Sequence, residues 1–111
     1  MSDCIFCKIA AGEIPADKVY EDDRVVVFKD IAPKADVHLL MIPRLHIESL
    51  NDLSVEHDAL IGHMMRLLPK LANGQGLEHG FRTIINTGKG GGQEVFHLHM
   101  HIMGGSKLPG F

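Results

Sequence analysis

Three of the chain's eight histidines, His97, His99 and His101, stand at alternate positions, with Phe96, Leu98, Met100 and Ile102 interleaved. Alternation over residues 93–103 predicts a half-buried strand, because successive side chains leave a strand on opposite faces. The apolar set would face the core, and the imidazoles would line one open surface. Next-but-one residues on a strand lie roughly 6.6 Å apart, which separates His97 from His101 by about 13 Å. Rings so spaced cannot easily all ligate one metal whose nitrogens sit about 2.1 Å from it. A division of work fits better: a nucleophile in the middle and a support on each side. The alternatives are a solvated strand face with incidental histidines and a two-histidine metal site. Upstream, Thr87-Gly88-Lys89-Gly90-Gly91-Gly92-Gln93 is a glycine-rich loop able to bring backbone N–H groups close to an anion. Asn86, at its mouth, carries an amide suited to a phosphate or ribose oxygen. Imidazoles beside an anion-binding loop suggest phosphorus chemistry.

Other candidates are weaker alone. Cys4 and Cys7 form a Cys-x-x-Cys pair without the long βαβ pattern of a redox motif. Zinc needs two further ligands, for which His46 and His97 are candidates; otherwise the thiols pack as small apolar residues. Asp30 ends a β-branched run and could accept two ribose hydroxyls, or could serve the turn before Ile31-Ala32-Pro33. His38, on an otherwise apolar segment, is by itself an ordinary polar residue.

In combination these residues resemble a known family. His97-Leu98-His99-Met100-His101-Ile102-Met103 is similar to the defining motif of the histidine-triad superfamily. Asp30-Ile31-Ala32-Pro33, His38-Leu39-Leu40-Met41-Ile42-Pro43 and Gly91-Gly92-Gln93-Glu94-Val95-Phe96 resemble its Hint branch, the nucleotide-binding phosphoramidases, and the likeness runs from about residue 4 to residue 105. The resemblance implies an α+β fold: a five-stranded antiparallel sheet with one long and one short helix. It also implies a homodimer joined through the long helix and an edge strand. Ile5, Phe6, Ile14, Phe28 and Ile31 match an apolar slot for the base, although such residues suit plain core equally well. Asp30 matches the ribose site, and His38 matches a histidine that steadies His101. Cys4, Cys7, His46 and His97 match the ligands of a structural zinc found in some members. No organic cofactor is implied.

A neutral imidazole is a competent nucleophile at pH 7. By this resemblance His99 attacks the α-phosphorus of a purine nucleotide derivative, giving a nucleotidyl-histidine that water then releases. Backbone N–H groups from Gly92 to Val95, with Gln93 and Asn86, hold the phosphoryl oxygens. His101 donates to an oxygen near phosphorus, and His97 orients the central ring. Some relatives carry serine where Glu94 stands; an ionised glutamate cannot donate, but it could attract a cationic amine or titrate high. Three readings follow. They are a nucleoside phosphoramidase acting also on aminoacyl-adenylates, a dinucleoside polyphosphate hydrolase of the fragile-histidine-triad kind, and a zinc-containing nucleotide-binding scaffold with vestigial catalysis.

Size and charge bound these readings. A chain of 111 residues makes one domain over positions 1–111, with 45% hydrophobic and 23% charged residues typical of a soluble globule. A net charge of −3 and a pI near 6.2 give no polyanion-binding surface, so nucleic acid is not an expected partner. No apolar run approaches the roughly 20 residues that span a bilayer, and the N-terminus lacks secretory-signal features. A cytoplasmic protein without membrane contact is expected, its cysteines thiols or metal ligands.

The positioning elements follow from pattern. Residues 4–12 form a short helix ended by Gly12, and residues 18–21 and 24–29 a hairpin. Residues 37–43 make a third strand ended by Pro43, and residues 80–86 a fourth before the triad strand. Residues 55–72 form the long helix, capped by Ser54 or Asp52, with surplus apolar surface for a second subunit. Pro69 should kink or weaken its last turns. His57 and His63 are expected to face solvent without a role, and residues 104–111 to form an irregular tail.

Overall fold

The computed structural model describes residues 3–110. Its elements run α1 (Ile5–Ala10), β1 (Lys18–Glu21), β2 (Val25–Lys29), β3 (Val37–Pro43), α2 (Asp58–Gly74), β4 (Arg82–Ile84) and β5 (Met100–Gly104). The five strands form one antiparallel sheet in the order β1-β2-β3-β5-β4. The expected α+β architecture is thus the observed one.

Both faces of the central strands are covered, which is why β2 and β3 are apolar without alternation. Val25, Val27, Leu39, Met41, Met100 and Ile102 pack against Met64, Leu67, Leu68 and Ala72 of α2. On the opposite face Val26, Phe28, Leu40 and Ile42 meet Phe6, Ile9 and Ala10 of α1. His101 alternates with Met100 and Ile102 and so points to the α1 face, beside Leu40 in register.

The triad strand is shorter than the alternation predicts. Pairing of β3 with β5 begins at Met41↔Met100, and residues 93–99 lie outside the ladder. The cause is Pro43, which has no N–H to donate and ends β3 where residues 97–99 would need a partner. This segment docks through single bonds instead, such as Leu98 N–H to the Ile47 carbonyl at 2.7 Å. Nor is the histidine face open. His97 and His99 are 0% and 7% exposed beneath α1, whereas Phe96, assigned to the core by alternation, is 43% exposed.

Three smaller expectations also change. Residues 55–57 form a 3₁₀ turn, and α2 passes through Pro69 to Gly74 without ending. Met65, whose carbonyl loses its donor at Pro69, lies on the exposed side where water can replace it. His57 accepts the Ser54 N–H at Nδ1 (3.0 Å). His63 Nε2 meets Asp22 Oδ2 at 2.7 Å, joining α2 to the β1–β2 turn. Burial opposes the charge on Asp22, yet hydrogen bonds from Tyr20, the Arg24 N–H, His63 and the Val25 N–H prevail and hold its carboxyl well below the usual range. Among the described residues no helix is long and apolar enough to cross a membrane.

Candidate active site

A cleft of about 720 Å³ opens on the α1 face of the sheet. Ile5, Phe6, Ile14 and Phe28 give it an apolar lining, and Asp30, Ile31, His38 and Asn86 line it as well. Gly92, Glu94, Val95, His99 and His101 also line it, with His99 edge-on to Phe6. Ile31 is a rim residue, 99% exposed, rather than a buried wall. Gln93 is 4% exposed and does not line the cleft; its amide is bonded within the protein. In this structure the Gln93 amide is thus engaged within the protein and not turned into the cleft.

Hydrogen bonds define which nitrogen of each ring carries its proton. His99 Nδ1 lies 2.8 Å from the His97 carbonyl, which can only accept, so Nδ1 is protonated and Nε2 is bare. The Phe6 ring stands edge-on to His99, centroids 5.1 Å apart, and fixes its plane. The backbone N–H of Lys34 reaches His38 Nδ1 at 3.0 Å, so His38 carries its proton on Nε2. That nitrogen lies 2.8 Å from His101 Nδ1, which makes His101 the acceptor there and leaves its own proton on Nε2. Asp30 Oδ2 approaches His38 Nε2 at 3.4 Å, while Oδ1 accepts the Ala32 N–H at 2.9 Å.

Burial, then the neighbouring His99 and His38, push the His101 ring down to about 4, against a partial opposing pull from Asp30. Burial likewise lowers His38. Both rings are neutral at pH 7, as the donor–acceptor chain requires.

The glycine loop uses up several of its own amides. Gly91 N–H and Gln93 N–H donate to the Gly88 carbonyl, and Gly92 N–H donates to the Lys89 carbonyl. Among the described residues, the N–H groups of Glu94 and Val95 have no such partner, and both residues line the cleft. Gly92 makes the reversal between these two sets at φ 84°, where a side chain would be strained although space for a Cβ is open. Of the residues from Gly92 to Val95, Gly92 and Gln93 thus have backbone N–H partners within the loop.

Behind the triad, Cys4, Cys7, His46 and His97 bring four donor atoms within 4.8 Å of one another. His97 Nδ1 lies 3.3 Å from Cys4 Sγ, 3.5 Å from Cys7 Sγ and 3.2 Å from His46 Nδ1. Cys7 Sγ lies 3.2 Å from His46 Nδ1. Bonds of about 2.0–2.3 Å in a tetrahedron place donors roughly 3.3–3.8 Å apart, so the cluster fits a metal ion with small adjustments. His97 Nε2 donates to the Pro43 carbonyl at 2.8 Å, which leaves Nδ1 bare for a ligand bond.

A family model described as "Scavenger mRNA decapping enzyme C-term binding" matches residues 3–110. The chain is 62% identical to Protein HitA of Neisseria gonorrhoeae over 104 residues, covering 94% of this chain and 97% of that one. It is 49% identical to the purine nucleoside phosphoramidase of Escherichia coli K12 over 105 residues, covering 94% and 88% respectively. A solved histidine triad protein from Clostridium difficile superposes with a TM-score of 0.95 at 49% identity, covering 100% of this chain and 97% of that one. The chain belongs to the histidine-triad family.

Within this histidine-triad site, sequence reasoning missed the groups that act through the backbone. The Lys34 N–H sets the His38 tautomer, and the Pro43 carbonyl sets that of His97. Any residue type offers such an N–H, and any offers such a carbonyl, so no residue pattern marks them. We expect ¹⁵N correlation spectra at pH 7 to show His99 protonated on Nδ1 and His38 and His101 on Nε2. His101 should stay neutral down to about pH 4. An Nε2-protonated His99 would overturn this assignment.

Proposed function

We propose that the protein is a hydrolase of purine nucleoside 5′-phosphoramidates and aminoacyl-adenylates, working through a nucleotidyl-His99 intermediate. One observation carries the reading: the bare Nε2 of His99 shares a cleft with the unpaired N–H groups of Glu94 and Val95. The purine nucleoside phosphoramidase to which the chain is 49% identical supports the same substrate class.

The base occupies the apolar slot of Ile5, Phe6, Ile14 and Phe28, and the ribose hydroxyls donate to Asp30. The N–H groups of Glu94 and Val95, with the Asn86 amide, hold the non-bridging phosphoryl oxygens. The His99 Nε2 lone pair forms a bond to phosphorus as the phosphorus–nitrogen bond breaks, and the departing amine takes a proton from solvent water. His101 donates its Nε2–H to the developing charge, oriented by the chain from Lys34 through His38. Water then attacks phosphorus as the bond to Nε2 breaks, its proton passing to solvent, which releases the nucleoside monophosphate and returns the electron pair to His99. Glu94, at the exposed rim, is placed to meet a cationic leaving group.

A zinc ion held by Cys4, Cys7, His46 and His97 would tie α1 to the segments bearing His46 and His97, and it takes no part in the bond changes. Its ligand set fits a reducing compartment, which supports the cytoplasm. A homodimer is supported by the open edge of β4 and by Met65 of α2, 50% exposed; a monomer in sedimentation equilibrium would end that reading.

Replacing His99 with Ala should lower turnover of adenosine 5′-phosphoramidate by about 10⁴-fold or more, with AMP affinity nearly unchanged. Retained turnover would remove His99 as nucleophile. Wild type should cleave adenosine phosphoramidate and lysyl-adenylate faster than diadenosine tetraphosphate; the reverse order would favour the polyphosphate reading. Protein purified without added metal should contain about one zinc per chain. Folded, active protein without zinc would refute the metal assignment.

A further inference from the structure

Gln93 sits in the middle of the loop that faces the cleft, yet its carboxamide is turned away from it. Oε1 accepts the Gly88 N–H at 2.8 Å, and Nε2 donates to the carbonyls of Glu48 at 2.7 Å and Val95 at 3.0 Å. Only this orientation of the amide matches one donor and two acceptors, so the group is fully engaged. Its three partners lie on different parts of the chain. Gly88 opens the loop, Val95 closes it, and Glu48 belongs to the connection between β3 and α2.

That connection is itself well held. Ser49 N–H and Oγ donate to Asp52 Oδ2, each at 3.1 Å. Ile47 accepts the Leu98 N–H at 2.7 Å, and Pro43 accepts His97 Nε2–H at 2.8 Å. Between the ties lies the run Gly90-Gly91-Gly92, which has more conformational freedom than any other residue type would give. A loop of this composition keeps its shape only where something fixes its ends.

We propose that Gln93 is a positioning residue whose buried carboxamide staples both ends of the glycine loop to the Glu48 segment, thereby aiming the Glu94 and Val95 N–H groups at the phosphoryl oxygens without itself touching the substrate. The proposal rests on the phosphoryl-transfer reading of the cleft. It also explains the residue type. Glutamate would keep an acceptor for Gly88 but lose both donors. Methionine has a similar length and offers none of the three contacts, and asparagine is one methylene short.

Three measurements on wild type, Gln93→Met and Gln93→Glu test the proposal. Backbone amide exchange should quicken severalfold at Gly88 in Gln93→Met and stay slow in β3 and β5, showing that the fold survives. With adenosine 5′-phosphoramidate, kcat should fall about 10²-fold in both variants while KM changes little. The ratio of AMP affinity to adenosine affinity should also fall in both, a readout that needs no turnover. A fall in kcat with unchanged exchange at Gly88 in Gln93→Met would mean that Gln93 meets the substrate directly, overturning the proposal. Faster exchange with unchanged kcat and an unchanged AMP-to-adenosine ratio would make Gln93 merely structural, with the same consequence. Should wild type fail to cleave the phosphoramidate, the reaction reading fails, and the affinity ratio alone decides the role of Gln93.

Discussion

The site depends on one short hydrogen bond, from His99 Nδ1–H to the carbonyl of His97. It leaves Nε2 of His99 with its lone pair, which is the difference between a nucleophilic imidazole and one whose cleft-facing nitrogen carries a proton. The bond is possible only because that carbonyl is not used elsewhere. In a continuous antiparallel ladder an interior strand's carbonyls are consumed by its neighbours. Here the ladder starts at Met100, and the His97 carbonyl faces back to its own chain two residues on. The early end of β5 therefore leaves this carbonyl available to His99. Pro43, with no N–H to donate, ends the β3 side of that ladder, and the β4 side ends at Ile84.

Once freed from the ladder, residues 93–99 need another means of being held, and His97 supplies much of it. Its ring is 0% exposed and is used at both nitrogens: Nε2–H on the Pro43 carbonyl, and Nδ1 among Cys4, Cys7 and His46. The same ring stands edge-on to Phe6, centroids 5.9 Å apart. The six residues of α1 are too few to be stable as an isolated helix in water. That helix is held by Phe6, Ile9 and Ala10 against the sheet and by two cysteines directed at His46 and His97. Because Phe6 also stands edge-on to His99, whatever fixes α1 also fixes the plane of the central imidazole.

Much of this was legible in the residues and the rest was not, for identifiable reasons. The third strand, residues 37–43, follows from an apolar run stopped by proline, and it is observed as Val37–Pro43. The grouping of His38 and Asp30 with His99 and His101 is implied by the family resemblance, since neither residue alone marks a site. Alternation, in contrast, reports which face a side chain takes and not whether a neighbouring backbone is present. Residues 97–102 keep the pattern of a strand, and only part of them is in the sheet. Alternation also does not say what covers a face, so the triad read as open while α1 lies over it. Polar side chains whose partners are carbonyls and amides, such as Gln93 and His57, leave no mark in sequence that separates an inward role from an outward one.

The cleft is uneven in a way that bears on what it can discriminate. Among its lining residues Phe6 and Phe28 are buried and packed edge to face, centroids 5.7 Å apart. Glu94, by contrast, is exposed, and the loop before it presents Lys89 and Gly90 to water. A buried apolar wall separates ligands by shape and desolvation, whereas an exposed carboxylate acts through screened charge alone. Under the proposed reaction, the chain's own contacts therefore fix the nucleotide half of the substrate closely and leave the leaving group to a weaker, charge-based preference. An enzyme so built accepts several amines on one nucleotide more readily than several nucleotides on one amine.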